Sequence, residues 1–220
     1  PYTTLFRSVD LHTDEATFDI QFGNLTRKIH QNTSWDEARF ESCGQKWMDM
    51  SEGHYGVSLL NDCKYGHSAI DGVMTLTLIK SGIEPNPTAD QEEHTFTYAL
   101  YPHAENWRQA KTVQEAMKLN QPLLSVEGGC VGNESSFVSV DHQNVILETV
   151  KMAEDSDGVI IRLYESENAR TKAHISFEKE IVSVESCDCI ENAKMAVDIK
   201  DNGFDIEIKP YEIQTYRVRF

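Results

Sequence analysis

Asn61, Asp62, Lys64 and Tyr65 crowd the end of the stretch Tyr55-Gly-Val-Ser-Leu-Leu-Asn-Asp-Cys-Lys-Tyr-Gly66. Together they offer an amide, a carboxylate, an ammonium and a phenol. Held at the end of a rigid strand, such a set can hydrogen-bond the hydroxyls of a polyhydroxylated ligand. Val57 and Leu59 alternate with Ser58 and Leu60 just before the loop, a pattern with at least one apolar face that predicts a strand. The same residues also suit a hairpin turn with a solvated face, and the segment alone leaves both readings open.

Other chemistry is sparse. The chain has no Gly-x-Ser-x-Gly elbow, no phosphate-binding glycine loop, no dinucleotide fingerprint and no His-Glu-x-x-His, each of which would signal a particular reaction class. The histidines, at positions 12, 30, 54, 67, 94, 103, 142 and 174, occur singly. His54 and His67 flank the loop, and His94 reads as a strand residue beside Phe96 and Tyr98. Asp36-Glu37 and Glu92-Glu93 are adjacent pairs, and neighbours on a strand point to opposite faces, so neither pair is suited to act jointly on one substrate. Trp35, Trp47 and Trp107 could stack a sugar ring, although buried tryptophan is the commoner outcome. Cys187-Asp-Cys189 in a strand would put two thiols on one face. With no second Cys/His pair nearby, that reads as structural rather than as zinc binding. No self-contained active site emerges.

Composition narrows the classes. The chain has 220 residues, 40% of them apolar, and a net charge of -16. That is a globular composition with length for one large β domain or two ordinary ones. The negative field repels phosphate backbones and anionic lipid, which argues against nucleic acid and membrane surfaces as partners. No apolar run approaches the ~20 residues of a membrane span, and no secretory signal opens the chain. Cysteines at 43, 63, 130, 187 and 189, odd in number and irregular in spacing, fit a reducing compartment. The sequons at Asn24, Asn32 and Asn133 matter only in a secreted protein. Pro1–Ser8 reads like the translation of a sequencing-library adapter and is set aside from fold reasoning, which puts the true N-terminus out of view.

The elements that must carry the loop read as strands. Alternation predicts Thr17–Gly23, Ala38–Asp49, Tyr55–Asn61, Val73–Lys80 and His94–Tyr101, separated by Asp71-Gly72, Ser81-Gly82 and the prolines at 85 and 87. Helical spacing predicts Asn106–Asn120, and Ser34-x-x-Glu37 is a capping box for a short helix. Pro122 and the glycines at 128, 129 and 132 mark a boundary. Seven more strands follow: Phe137–Val140, Val145–Met152, Val159–Tyr164, Ala173–Phe177, Met195–Ile199, Phe204–Ile208 and Ile213–Phe220, with hairpin-type turns at Asp157-Gly158 and Asn202-Gly203. The expected fold is all-β. A large β-sandwich over 9–128, incomplete at its N-terminal edge and with one short helix, precedes a small immunoglobulin-like β-sandwich over 129–220.

Several stretches together carry a resemblance: Asn32-Thr-Ser-Trp-Asp-Glu-Ala-Arg-Phe-Glu41, Lys46-Trp-Met-Asp-Met-Ser-Glu52, Tyr55–Gly66, Ala89–His103 and Leu119-Asn-Gln-Pro-Leu123, then Ala153–Glu165 and Lys209–Ile213. They resemble the C-terminal part of the glycoside hydrolase family 38 α-mannosidases, in their cytosolic and bacterial branch. The resemblance implies a retaining glycosidase acting on α-mannoside oligosaccharides in the cytoplasm. It places the divalent metal, usually zinc, and the catalytic carboxylates in an N-terminal domain that this sequence lacks. It therefore implies no catalytic residue, metal ligand or cofactor here, and inactivity of this segment alone. The partners implied are that catalytic domain and a homo-oligomer of the full-length enzyme. The large sandwich lends loops to the sugar-site rim. There Lys64 and Tyr65 are the expected hydrogen-bonding groups, with Asn61 and Asp62 shaping the turn, while a brace at the domain interface suits the same four residues. Two further readings stay open: a stand-alone carbohydrate-binding module, which needs exposed aromatics, and a structural β-sandwich without a ligand.

Overall fold

The computed structural model describes residues 2–128, 132 and 135–220. Gly129, Cys130 and the Asn133 sequon lie outside the described residues. The chain is nearly all β, as expected, and falls into two compact units, Pro1–Ser125 and Val126–Phe220.

The first unit runs β1 (Tyr2–Ser8), β2 (Glu15–Ile20), β3 (Gly23–Lys28), α1 (Ser34–Ala38), β4 (Ser42–Cys43), β5 (Trp47–Ser51), β6 (Tyr55–Asn61), β7 (Gly66–Ile70), β8 (Val73–Lys80), β9 (Tyr98–Ala104) and α2 (Thr112–Asn120). Two antiparallel sheets, ordered β1-β8-β7-β4 and β3-β2-β5-β6-β9, form a sandwich. Leu5, Ala69, Met74 and Leu76 meet Ala16, Phe18, Met48, Met50, Val57 and Leu59 in its core. The residues set aside as Pro1–Ser8 supply an edge strand: β1 pairs with β8 from Tyr2↔Lys80 to Ser8↔Val73, and Leu5 is buried. Leaving them out of the fold reasoning removed one strand from the sheet. Asp71-Gly72 closes the β7–β8 hairpin with both residues at positive φ (50° and 71°), the geometry that twisted two-residue hairpins require.

The five-stranded sheet is buried on both faces in its middle. Met48, Met50, Val57 and Leu59 point into the sandwich core. Their neighbours Trp47, Asp49, Ser58 and Leu60 are buried as well, with α2 packed against β5 and β6 and carrying buried Val113 and Ala116. The expected helix Asn106–Asn120 is shorter than the spacing suggests. Lys111 adopts the left-handed conformation (φ 57°), which breaks the run before Thr112. Trp107, in the separate turn ahead of it, packs at a tilt against Trp47, with ring centroids 5.2 Å apart. Ala38–Asp49, expected as one strand, is instead the end of α1, the two-residue β4 and β5. The helix is capped one residue earlier than expected: Asp36 N donates to Thr33 Oγ1 (3.3 Å) and Thr33 N to the Asp36 carboxylate (3.1 Å).

The second unit holds β10 (Val138–Val140), β11 (Val145–Met152), β12 (Val159–Glu165), β13 (Thr171–Phe177), β14 (Ser183–Cys187), β15 (Ala193–Val197), β16 (Gly203–Ile208) and β17 (Ile213–Arg219). Its sheets, β10-β13-β16 and β11-β12-β17-β14-β15, share one core. Ile175, Phe177, Phe204 and Ile206 pack in it with Ile161, Leu163, Val184, Tyr216 and Val218. Strand β14 is one more than the alternation suggested. It ends at Cys187, which is buried, while Cys189 is exposed beyond it. The two thiols therefore do not share a face. The turn expected at Asn202-Gly203 centres on Asp201 and Asn202 (φ 50° and 54°).

Candidate functional site

Four segments of the first unit converge on the loop between β6 and β7. Asn61, the last residue of β6, is buried, and its side chain works as a hub. Its Nδ2 donates to Gln45 O at 2.7 Å and faces His67 Nε2 at 3.4 Å. Its Oδ1 accepts from Cys63 N (3.1 Å) and Lys64 N (2.6 Å). An asparagine that bonds the backbone two and three residues ahead folds the chain back on itself, as in an Asx-turn. The Asn61 carbonyl accepts from Asn120 Nδ2 (3.0 Å), which ties the C-terminal end of α2 to the loop.

Asp62 fastens a fourth segment. Its N–H donates to Thr97 O (3.1 Å) and its carboxylate accepts from Thr97 N (2.9 Å). Partial burial acts to raise its pKa, but hydrogen bonds from the Cys63 thiol and from Thr97 outweigh that and hold it below the usual carboxylate value. Burial and the Asp62 bond push the Cys63 thiol up, so it stays protonated and is a poor nucleophile. The Thr97 staple carries Phe96 beneath Lys64, whose ammonium lies 5.0 Å from the ring centroid, within cation–π range. Tyr65 is 60% exposed; its backbone carbonyl faces inward and accepts from Gly44 N (3.0 Å). Asn61 and Asp62 are thus spent on internal bonds, whereas the Tyr65 ring faces solvent and the half-buried Lys64 packs on an aromatic face.

Gln45, Phe96, Thr97 and Asn120 went unnoticed as partners in the sequence, because each lies 16 to 59 residues from its contact in the loop. His54 stands at the far end of β6 and is exposed, whereas His67 is buried under the loop. His94 does not join a strand; β9 begins at Tyr98, and the imidazole Nε2 contacts Asp90 O at 2.9 Å. Trp47 and Trp107 are buried and Trp35 alone is exposed, so the three tryptophans make no stacking platform.

The support under the loop includes one strained charge. Asp19 of β2 accepts from Lys46 N (2.9 Å), and its backbone carbonyl accepts from Gln45 N (2.9 Å); the carbonyls of Gln45 and Lys46 in turn accept from the Asn61 side chain and backbone N–H. Burial raises its pKa from 3.8 to about 6, opposed by the Lys46 amide. A carboxyl whose folded pKa lies above its unfolded one stabilises the fold while protonated, and loses that contribution as pH rises from about 4 through about 6. Asp19→Asn is therefore expected to stabilise this unit by about 3 kcal/mol at pH 7 and to leave it unchanged at pH 4. Urea titrations at the two pH values read this directly, and an equal change at both would contradict it.

Among the described residues no group of three or more His, Cys, Asp or Glu is placed to hold a metal ion. No helix among the described residues is long and apolar enough to cross a membrane.

Comparison with known proteins places this architecture. The family model for the glycosyl hydrolases family 38 C-terminal domain matches residues 5–88. That for the family 38 C-terminal beta sandwich domain matches residues 144–216. Alpha-mannosidase 2C1 of Homo sapiens is 37% identical over 210 residues, covering 92% of this chain and 20% of the relative. Alpha-mannosidase G of Dictyostelium discoideum is 35% identical, covering 94% of this chain and 20% of the relative. The crystal structure of an alpha-mannosidase from Enterococcus faecalis V583 shares the fold with a TM-score of 0.78 at 17% identity, over 98% of this chain and 25% of that one. The chain thus spans about a fifth of the length of the curated relatives it matches. With both of its sandwiches matched, the chain belongs to glycosyl hydrolase family 38, as the C-terminal region of that family.

Proposed function

We propose that this chain is the C-terminal region of a retaining α-mannosidase of the cytoplasm that hydrolyses α-mannosidic bonds in oligosaccharides. In this reading the catalytic carboxylates and a divalent metal, zinc or another, belong to an N-terminal domain of the longer polypeptide. The present segment, its first unit as part of the large sandwich and its second as the terminal one, supports that domain and is inactive alone. The loop Asn61–Gly66 reaches the rim of the sugar site, where Lys64 and Tyr65 bind mannose hydroxyls. The observation that carries this reading is the division of labour in the loop. Asn61 and Asp62 are consumed in fixing its shape, while the Tyr65 ring is exposed and the Lys64 ammonium rests on the Phe96 face. A preorganised loop binds at little entropic cost.

In the full-length enzyme, Lys64→Met and Tyr65→Phe are each expected to lower kcat/KM for α-mannosides about tenfold, mainly through KM, the loss of one sugar hydrogen bond each. Kinetics unchanged within about twofold for both variants would make the loop an interface brace instead.

A further inference from the structure

His67 is fully buried directly beneath the loop, at the second position of β7. Its two ring nitrogens face chemically different partners. Nε2 faces the Asn61 side-chain amide at 3.4 Å, and Nδ1 faces the Tyr65 carbonyl at 3.3 Å. The amide nitrogen can only donate and the carbonyl can only accept. One tautomer satisfies both: neutral imidazole with the proton on Nδ1 and a lone pair on Nε2. The Phe18 ring meets the imidazole edge-on at 6.4 Å. Gly44 makes room for it, since a Cβ there would lie 2.8 Å from Nδ1.

We propose that His67 is a positioning residue for the loop: as neutral imidazole it clamps Asn61 to the Tyr65 carbonyl, fixes the shape that presents Lys64 and Tyr65, and releases that shape when protonated. Its consequence for catalysis rests on the rim reading above; the clamp itself rests on geometry. Protonation would turn Nε2 into a donor aimed at another donor, so the charged ring cannot keep both partners. The charged group facing the ring is Glu41, between α1 and β4, which is itself bonded to Thr77 and paired with Lys80 at 3.6 Å. Phe18, Gly44 and Asn61 bring no charge. Burial outweighs Glu41 and the Tyr65 carbonyl, so the pKa falls from 6.5 to about 4, and the ring is neutral in the folded protein at neutral pH.

The readout is amide hydrogen exchange at Cys63 and Lys64, whose N–H groups donate to Asn61 Oδ1, with the amide of Val73, paired with Ile70 across the β7–β8 ladder, as control. In the unaltered chain, protection corrected for intrinsic rate is expected to fall from pH 7 to pH 4 by up to about 100-fold. That is the ratio allowed when an open loop restores the ordinary histidine pKa. His67→Phe is expected to lose at least about tenfold of this protection already at pH 7. His67→Gln, which offers a donor and an acceptor but does not titrate, is expected to keep it and to abolish its pH dependence. Protection that is independent of pH in the unaltered chain overturns the proposal, whatever the variants do. So does unchanged protection in His67→Phe. These amides report the loop's shape whatever the loop touches, so unaltered sugar kinetics in Lys64→Met would sink the rim reading and leave this result standing.

Discussion

Asn61→Ala is expected to destabilise the first unit by about 4 kcal/mol, at about 1 kcal/mol for each hydrogen bond its side chain makes. The alanine would strand the Gln45 carbonyl, the His67 ring and two loop amides at once, three of the four links being 3.1 Å or shorter. Stranded buried groups cost more than the bonds were worth, because they have already given up water. The expected loss is therefore larger than for a surface asparagine, where about 0.5 kcal/mol is usual. Trp35, Trp47 and Trp107 all lie in the first unit, so tryptophan emission reports that unit alone. Urea unfolding followed by emission should show the midpoint falling by about 2 M for a slope of about 2 kcal/mol/M. A loss below about 1 kcal/mol would mean the loop is held by its backbone pairing and that Asn61 is no hub.

That hub marks the limit of what the sequence revealed. Strand periodicity was legible in several core strands but not in all: β3 and β7 were not expected, and Thr17–Gly23 runs past the end of β2 at Ile20. Val145–Met152 and Val73–Lys80 have the bounds that alternation predicted. It failed where packing broke the local pattern. Gly44 interrupts Ala38–Asp49 because a histidine more than twenty residues downstream occupies the space a side chain would need. Lys111 splits the expected helix, and Trp107 ahead of the break packs against Trp47, a contact no window of neighbouring residues encodes. Strand β14 is short and intersperses buried Val184 and Cys187 with half-buried residues, too weak an alternation to detect. The loop's own residues stood out by type. His67 was noted only as a flank of the loop, and the partners at 45, 97 and 120 did not stand out, since a lone glutamine, threonine or asparagine becomes informative only when the topology brings it beside the loop. The chemistry-bearing residues were local, and the residues that hold them were not.

The second large effect lies on the other face of the same sheet. His103→Ala is expected to cost about 4 kcal/mol, the usual range for removing one member of a buried ion pair being about 3–5 kcal/mol. His103 Nε2 contacts Asp49 Oδ2 at 2.8 Å, with both side chains buried. Its Nδ1 faces the Ala104 carbonyl at 3.3 Å. Both ring nitrogens thus address acceptors, which suits the imidazolium, the opposite of His67. Ser58 Oγ donates to Asp49 at 2.7 Å and so accepts from Thr112 Oγ1 at 2.9 Å; the chain of bonds runs from α2 through the sheet to His103. Burial lowers the His103 pKa, but the Asp49 carboxylate raises it more, and the net shift is upward from 6.5. A raised histidine pKa contributes stability that is complete below 6.5 and is lost as pH climbs through the folded value. The unaltered first unit should therefore lose stability between neutral and mildly alkaline pH. In His103→Gln, which keeps a donor for Asp49 without a titrating charge, that slope should vanish. Tryptophan-detected urea unfolding from about pH 6 to pH 9 separates the cases. A constant difference between the two proteins across that range would show that His103 is neutral in the fold, and that Asp49 is balanced by hydroxyls alone.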